Sequence, residues 1–171
     1  MIEKIISGGQ TGADQAGLSA ARQVGLQTGG YAPKGWLTED GPKQELLEGY
    51  GLKETIESGY RTRTVRNVAF SDATLIFGNE RSPGSILTIA ACERSKRPYL
   101  VVPYPTSFDV STTAKIVAAW LTGFQPKVLN VAGNRESRNP GIFAFTKAVL
   151  LEVLPPEPHC KDPNCKERLA F

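Results

Sequence analysis

The chain has 171 residues, 40 % of them hydrophobic and 22 % charged, and its 20 Lys and Arg against 17 Asp and Glu leave a net charge of +3. This length fits one domain with an ordinary core, and the apolar fraction excludes a chain disordered throughout. No apolar run approaches the roughly 18 residues of a membrane span, MIEKIISGG lacks the pattern of a signal peptide, and the weak positive charge does not by itself point to nucleic acid. Glycine is the outlier, with 17 residues beside 12 prolines.

In chain order, Lys4-Ile5-Ile6 predicts a short strand, and the glycine loop Ser7-Gly8-Gly9-Gln10-Thr11-Gly12 follows it. Ala13, Ala16, Gly17, Ala20, Ala21 and Val24 then recur at helical spacing, small residues suited to close packing on a sheet, with Gly25 as the stop. A weaker strand is expected near Leu26 to Tyr31. From Ala32 to Gly59 the pattern is lost among glycine, proline and charge, and a connection of that length is usually functional or disordered. Its aromatics Tyr31, Trp36 and Tyr50, with Tyr60 just beyond, argue for order against something.

Residues 60 to 70 read as a helix carrying Arg61, Arg63 and Arg66. Ala73 to Phe77 reads as a buried strand, and Gly78 to Gly84 as a second glycine-proline loop. Ser85 to Lys96 is helical, and Pro98 to Pro103 a strand. Thr113, Ile116, Val117, Trp120, Leu121 and Phe124 mark an amphipathic helix. Lys127 to Val131 is a strand, Ala132-Gly133-Asn134 opens a third glycine loop, and Pro140 to Leu154 is the last helix before Pro155-Pro156.

Strands alternating with helices imply βαβ units, hence a three-layer α/β fold with a mainly parallel sheet of about five strands. Ligands of such folds bind at the carboxyl ends of strands where strand order reverses, so the three glycine loops are expected to converge. Residues 1–154 are read as a single Rossmann-like domain and 155–171 as a Pro- and Cys-containing tail. Three cysteines and no secretion pattern suggest reduced thiols in the cytoplasm. Cys92 reads as a small core residue. His159, Cys160 and Cys165 match no standard zinc spacing, and the lone histidine, placed in the tail, argues against a Ser-His-Asp or Cys-His triad within the domain.

The first loop is an anion-cradle candidate, with glycines that let backbone N–H groups approach and a helix N-terminus that adds a positive dipole end, or else a tight strand-to-helix turn; the second has the same position after a strand, or else is a plain surface turn. The first loop is neither a Walker loop nor a G-x-G-x-x-G fingerprint. Ser85 and Thr88 are candidate phosphate donors. The arginines, with Lys34, Arg135 and Arg138, are candidate grips on an oxyanion or else solvated basic residues. No basic stripe or RNA-reading motif appears, so nucleic acid is a minor hypothesis.

Four blocks carry a more specific match: SGGQTGADQAGL at 7–18, GGYAPKGWLTEDGP at 29–42, SGYRTRTVRNVAFSDATLIF at 58–77 and VLNVAGNRESRNPGI at 128–142. With them the chain resembles, over residues 1 to about 153, the molybdenum cofactor carrier family, a Rossmann-like group related to the Lonely Guy phosphoribohydrolases. The resemblance implies a parallel-sheet fold, a cytoplasmic homo-oligomer, and binding of molybdenum cofactor (a pterin dithiolene with a terminal phosphate) for storage or transfer to molybdoenzymes. The implied site places Gly8, Gly9, Gln10, Thr11 and Gly12 on one wall and Ser82, Gly84, Ser85 and Thr88 on a second. Asn134 and Arg135 border it, and Lys34, Arg61 and Arg63 act as clamps. No catalytic residue and no protein-ligated metal is expected.

Lonely Guy enzymes share P-G-G-x-G-T-x-x-E, whose glutamate serves N-glycosidic cleavage. Here the stretch is Pro83-Gly84-Ser85-Ile86-Leu87-Thr88-Ile89-Ala90-Ala91. Alanine replaces the glutamate, and Glu93 lies two positions late, about 200° further around a helix. A carrier is therefore favoured over the alternatives, a phosphoribohydrolase acting on nucleoside monophosphates or a nucleotide-sensing module.

Overall fold

The computed structural model describes residues 1–57 and 59–154. In chain order the elements are β1 (Lys4–Ile6), α1 (Ala13–Gln23), β2 (Gln27–Ala32), a 3-10 turn (Lys34–Trp36), β3 (Leu37–Thr38), β4 (Gly41–Pro42), α2 (Gln44–Gly49), β5 (Leu52–Glu54), α3 (Tyr60–Ala69), β6 (Ala73–Phe77), α4 (Pro83–Arg94), β7 (Tyr99–Val102), α5 (Val110–Phe124), β8 (Val128–Gly133) and α6 (Ile142–Val153). Six strands form one parallel sheet in the order β5-β2-β1-β8-β6-β7, and β3 and β4 pair as a separate antiparallel hairpin. Helices cover both faces, which gives the three-layer Rossmann-like fold expected from the alternation of elements.

The two faces are packed unequally. Ile5, Leu75, Phe77, Leu129 and Val131 point to the side of α1, α5 and α6. There they join Ala13, Ala20, Ala21, Ala114, Val117, Leu121, Ile142, Val149 and Leu150 in the main core. The small residues of α1 have a mechanical reason: a Cβ on Gly17 would lie 2.7 Å from Val131. Side chains alternate across a strand, so Thr74, Ile76, Asn130 and Ala132 face α3 and α4. The apolar cluster beneath those helices is small, built on Val68, Ala91 and Cys92, and Cys92 is fully buried as its spacing suggested.

The stretch after Ala32 is ordered. Leu18 of α1, Ala32, Trp36, Leu47 and Leu52 make a third cluster. The sixth strand, β5, lies here at a sheet edge. Its sequence Leu52-Lys53-Glu54 has one buried apolar side chain and two exposed polar ones, too little alternation for a periodicity reading. Helix starts follow local capping: the Ser82 hydroxyl accepts from the Ser85 amide ahead of α4, and Asp109 accepts from the Thr112 amide at 2.7 Å ahead of α5. The expected tail, with His159, Cys160 and Cys165, lies outside the described residues. Among the described residues no helix is long and apolar enough to cross a membrane.

Leu129 is fully buried, whereas Phe124 is 54 % exposed. Leu129→Ala should cost about 2–5 kcal/mol in urea unfolding. Phe124→Ala in the same protein should stay within about 0.5 kcal/mol.

Candidate functional site

The three strands that end in glycine loops, β1, β8 and β6, are neighbours. Chain connections leave this centre in opposite directions, from β1 through α1 to β2 and from β6 through α4 to β7. The loops therefore meet where strand order reverses, and main-chain bonds join them: the Ala13 amide donates to Asn134 O at 3.2 Å and the Asn134 amide to Phe77 O at 2.9 Å. Between them opens a cavity of about 780 Å³ that runs down the thinly packed face between α3 and α4.

Of the residues singled out from the sequence, Gly8, Gln10, Arg63, Ser82, Gly84, Thr88, Asn134, Arg135 and Arg138 line this cavity. The others lie elsewhere. Gly9 packs under Leu47 and Leu52. Thr11 and Gly12 face a second depression of about 670 Å³, beside Glu39, Asp40 and Glu136. Ser85 is buried and shares its hydroxyl with Ser82. Lys34 and Arg61 are exposed and do not line the cavity. Arg66, one turn after Arg63, lies over the Tyr31 ring at 5.3 Å instead.

Several polar groups that could have met a ligand are engaged with the protein itself. The Gln10 amide donates to Asp14 Oδ2 at 3.2 Å, and the Thr11 amide to Gln10 Oε1 at 3.1 Å. Asn134 joins the second and third loops, accepting from the Asn79 amide at 2.5 Å and donating to Ser82 Oγ at 2.8 Å. One amide of the first loop, that of Gln10, is thus committed to an internal carboxylate. Burial pushes the Asp14 carboxyl above its usual range, while the Arg63 charge and hydrogen bonds from Arg63, Gln10 and Gly133 act the other way.

Arg63 Nη1 reaches Asp14 Oδ2 at 2.8 Å with both side chains mostly buried. Its guanidinium lies across Gly8, where an added Cβ would fall 1.2 Å from Nη1, so glycine is what lets it in. Arg63 Nε and Gln10 Nε2 are buried donors without a partner among the described residues. Gln10 is held because its Oε1 also accepts from the Glu39 amide at 2.8 Å. Arg135 and Arg138 line the same cavity, and the Tyr60 ring lies 5.0 Å from the Arg135 guanidinium and 5.6 Å from that of Arg63. Three guanidinium groups against one carboxylate, with two unpartnered donors, have the chemistry to receive an anion.

Residues 5–154 match the family described as circularly permutated YpsA SLOG. The chain belongs to this family. Among solved structures it is similar to the crystal structure of a protein from Syntrophus aciditrophicus SB named "Putative molybdenum carrier protein", at 38 % identity and a TM-score of 0.81, over 90 % of this chain and 95 % of that one. No curated protein matches the chain.

In this SLOG-family chain the cavity also takes in Asp14, Tyr60, Asn67 and Asn130, which sequence patterning did not place in the site. For Asn130 a signal existed: a polar residue inside the apolar strand VLNVAG is uncommon in a central, buried position. A second feature lies in the stretch after Ala32. Glu39, at the tip of the β3–β4 hairpin, accepts from the Thr11 hydroxyl and from the Ser137 amide and hydroxyl, which straps the hairpin across the first and third loops. Partial burial pushes the Glu39 carboxyl up, but the bonds from Ser137 and Thr11, with the Arg135 charge, outweigh it and hold the carboxyl below its usual range.

A lowered carboxyl stabilises the fold above its unfolded value, and this contribution disappears as pH falls through the folded value. The stability advantage of the wild type over Glu39→Gln should therefore shrink as pH is lowered below about 4.5, as read by denaturation at a series of pH values. Separately, Gly8→Ala should cost about 1–3 kcal/mol by overpacking against the guanidinium. In an Arg63→Ala background that cost should largely vanish, and a double-mutant cycle in urea measures it.

Proposed function

We propose that this protein binds the molybdenum cofactor and hands it to molybdoenzymes. The observation that carries the reading is the pair of buried, unpartnered donors, Gln10 Nε2 and Arg63 Nε, in a cavity lined by three arginines. Such a donor set fits an oxyanion, which phosphate and molybdenum oxo groups both supply. Arg63, Gln10 and Arg135 would hold the anionic end of the cargo. The resemblance to the Syntrophus protein supports this choice among anions. Hydrolysis of nucleotides has less support. Ala91 stands at the glutamate position, and Glu93 accepts a hydrogen bond from the Tyr99 hydroxyl at 3.3 Å and does not line the cavity.

The test is retention and transfer. Cofactor released from a molybdoenzyme is mixed with the purified protein, the protein is re-isolated by gel filtration, and the eluate is added to cofactor-free nitrate reductase. The expected result is restored reductase activity. Arg63→Met should weaken retention by about 10- to 100-fold, as expected for a lost hydrogen bond from a charged donor. Folded protein that neither retains nor transfers the cofactor would overturn the reading.

A further inference from the structure

Below its cationic mouth the cavity continues along the sheet. Its deep end is bounded by Thr64 and Asn67 of α3, Leu87 and Thr88 of α4, and Ala132 and Asn130 of β8. Nearly every polar side chain in that set is already engaged. The Thr64 hydroxyl donates to Tyr60 O at 2.8 Å and the Thr88 hydroxyl to Gly84 O at 2.9 Å. Asn67 uses both ends of its amide on Tyr31, accepting from its N–H at 2.9 Å and donating to its carbonyl at 3.1 Å. Asn130 differs: Nδ2 donates to Thr74 Oγ1 at 3.3 Å, and Oδ1 has no partner among the described residues although the residue is 2 % exposed.

A buried carbonyl oxygen without a donor is costly unless a ligand supplies one. We propose that this end of the cavity is a subsite for a flat nitrogen heterocycle, with Asn130 Oδ1 accepting a hydrogen bond from a ring N–H or amino group. The shape agrees with the chemistry. Ala132 leaves the sheet surface low beside Asn130, and Leu87 supplies an apolar wall. Asn130 lies three residues before Gly133, the end of β8, so about 10 Å of strand separates it from the loops above. A ligand whose phosphate reaches the loops can therefore place a ring at Asn130. The proposal rests on the anion-binding reading given above and adds which edge of the ligand is recognised. A pterin and a purine both present such an edge.

The experiment is isothermal titration of the wild type, Asn130→Leu and Asn130→Ala, with circular dichroism confirming the fold. The second variant serves if the first misfolds. Four probes are used: neopterin 3′-phosphate, guanosine monophosphate, purine riboside 5′-monophosphate, which has no ring N–H, and ribose 5-phosphate, which has no ring base. The wild type should bind the tighter of the first two about tenfold better than purine riboside 5′-monophosphate, and that probe names the ring source. Replacing Asn130 should erase the preference and leave ribose 5-phosphate binding unchanged. The subsite is overturned if the wild type shows no preference or if the variants keep it. Failure of ribose 5-phosphate to bind, with the ring preference intact, would instead overturn the anion reading and leave the subsite standing.

Discussion

The structure depends on where one strand is inserted. β8, the last strand of the described chain, hydrogen-bonds to β1 on one side and β6 on the other. Without it those two strands and their loops would not belong to one site. With it, Gly8, Gly84 and Asn134 come from distant parts of the chain to a single cavity. The same strand supplies Leu129 and Val131 to the main core and Asn130 and Ala132 to the opposite face. The pleat thus divides one six-residue segment between stability and the site.

The electrostatics follow from how few groups are left over. Asp14, Asn134, Ser82, Thr64, Thr88 and Asn67 all bond to other parts of the protein, and so they set the shape of the loops and helices. Among the buried side-chain atoms of the cavity lining, Gln10 Nε2, Arg63 Nε and Asn130 Oδ1 are left without a partner among the described residues, and their neighbours hold them before anything binds. Preorganisation of this kind lowers the ordering cost of association. It also explains how a chain with a net charge of +3 can favour an anion. The arginines act through place, with Arg63 held by an ion pair and the Arg63 and Arg135 guanidinium groups near the Tyr60 ring.

Much of the architecture was legible because β1, β6, β7 and β8 carry apolar runs and the longer helices have clear periods or breaks, whereas β2, QTGGYA, carries only a weak strand signal. β5 and the β3–β4 hairpin were not, since two- and three-residue elements show no period and owe their order to the cluster around Trp36 and Leu47. At the site, spacing identified the loops as places where a chain can meet a ligand. It could not say which side chains the protein would use internally. Thr11 and Gly9 lie next to Gln10 in sequence yet face away from the cavity. Arg63 rather than Arg61 enters because Asp14, 49 positions earlier, draws it in. Such partnerships are tertiary facts, and one-dimensional periodicity does not contain them.

The central position of β8 also has a consequence for synthesis. Until residues 128–133 are made, β1 and β6 each present an unpaired edge beside the gap that β8 will fill, and exposed edges invite pairing with other chains. The contacts that close the gap join Ile5 to Leu129 and Ile6 to Asn130, so the chain must complete a long loop before they form. A ribosome-bound chain shorter than this holds the glycine loops without a cavity between them. The cavity therefore forms late and all at once, and an incomplete chain has no partial version of it.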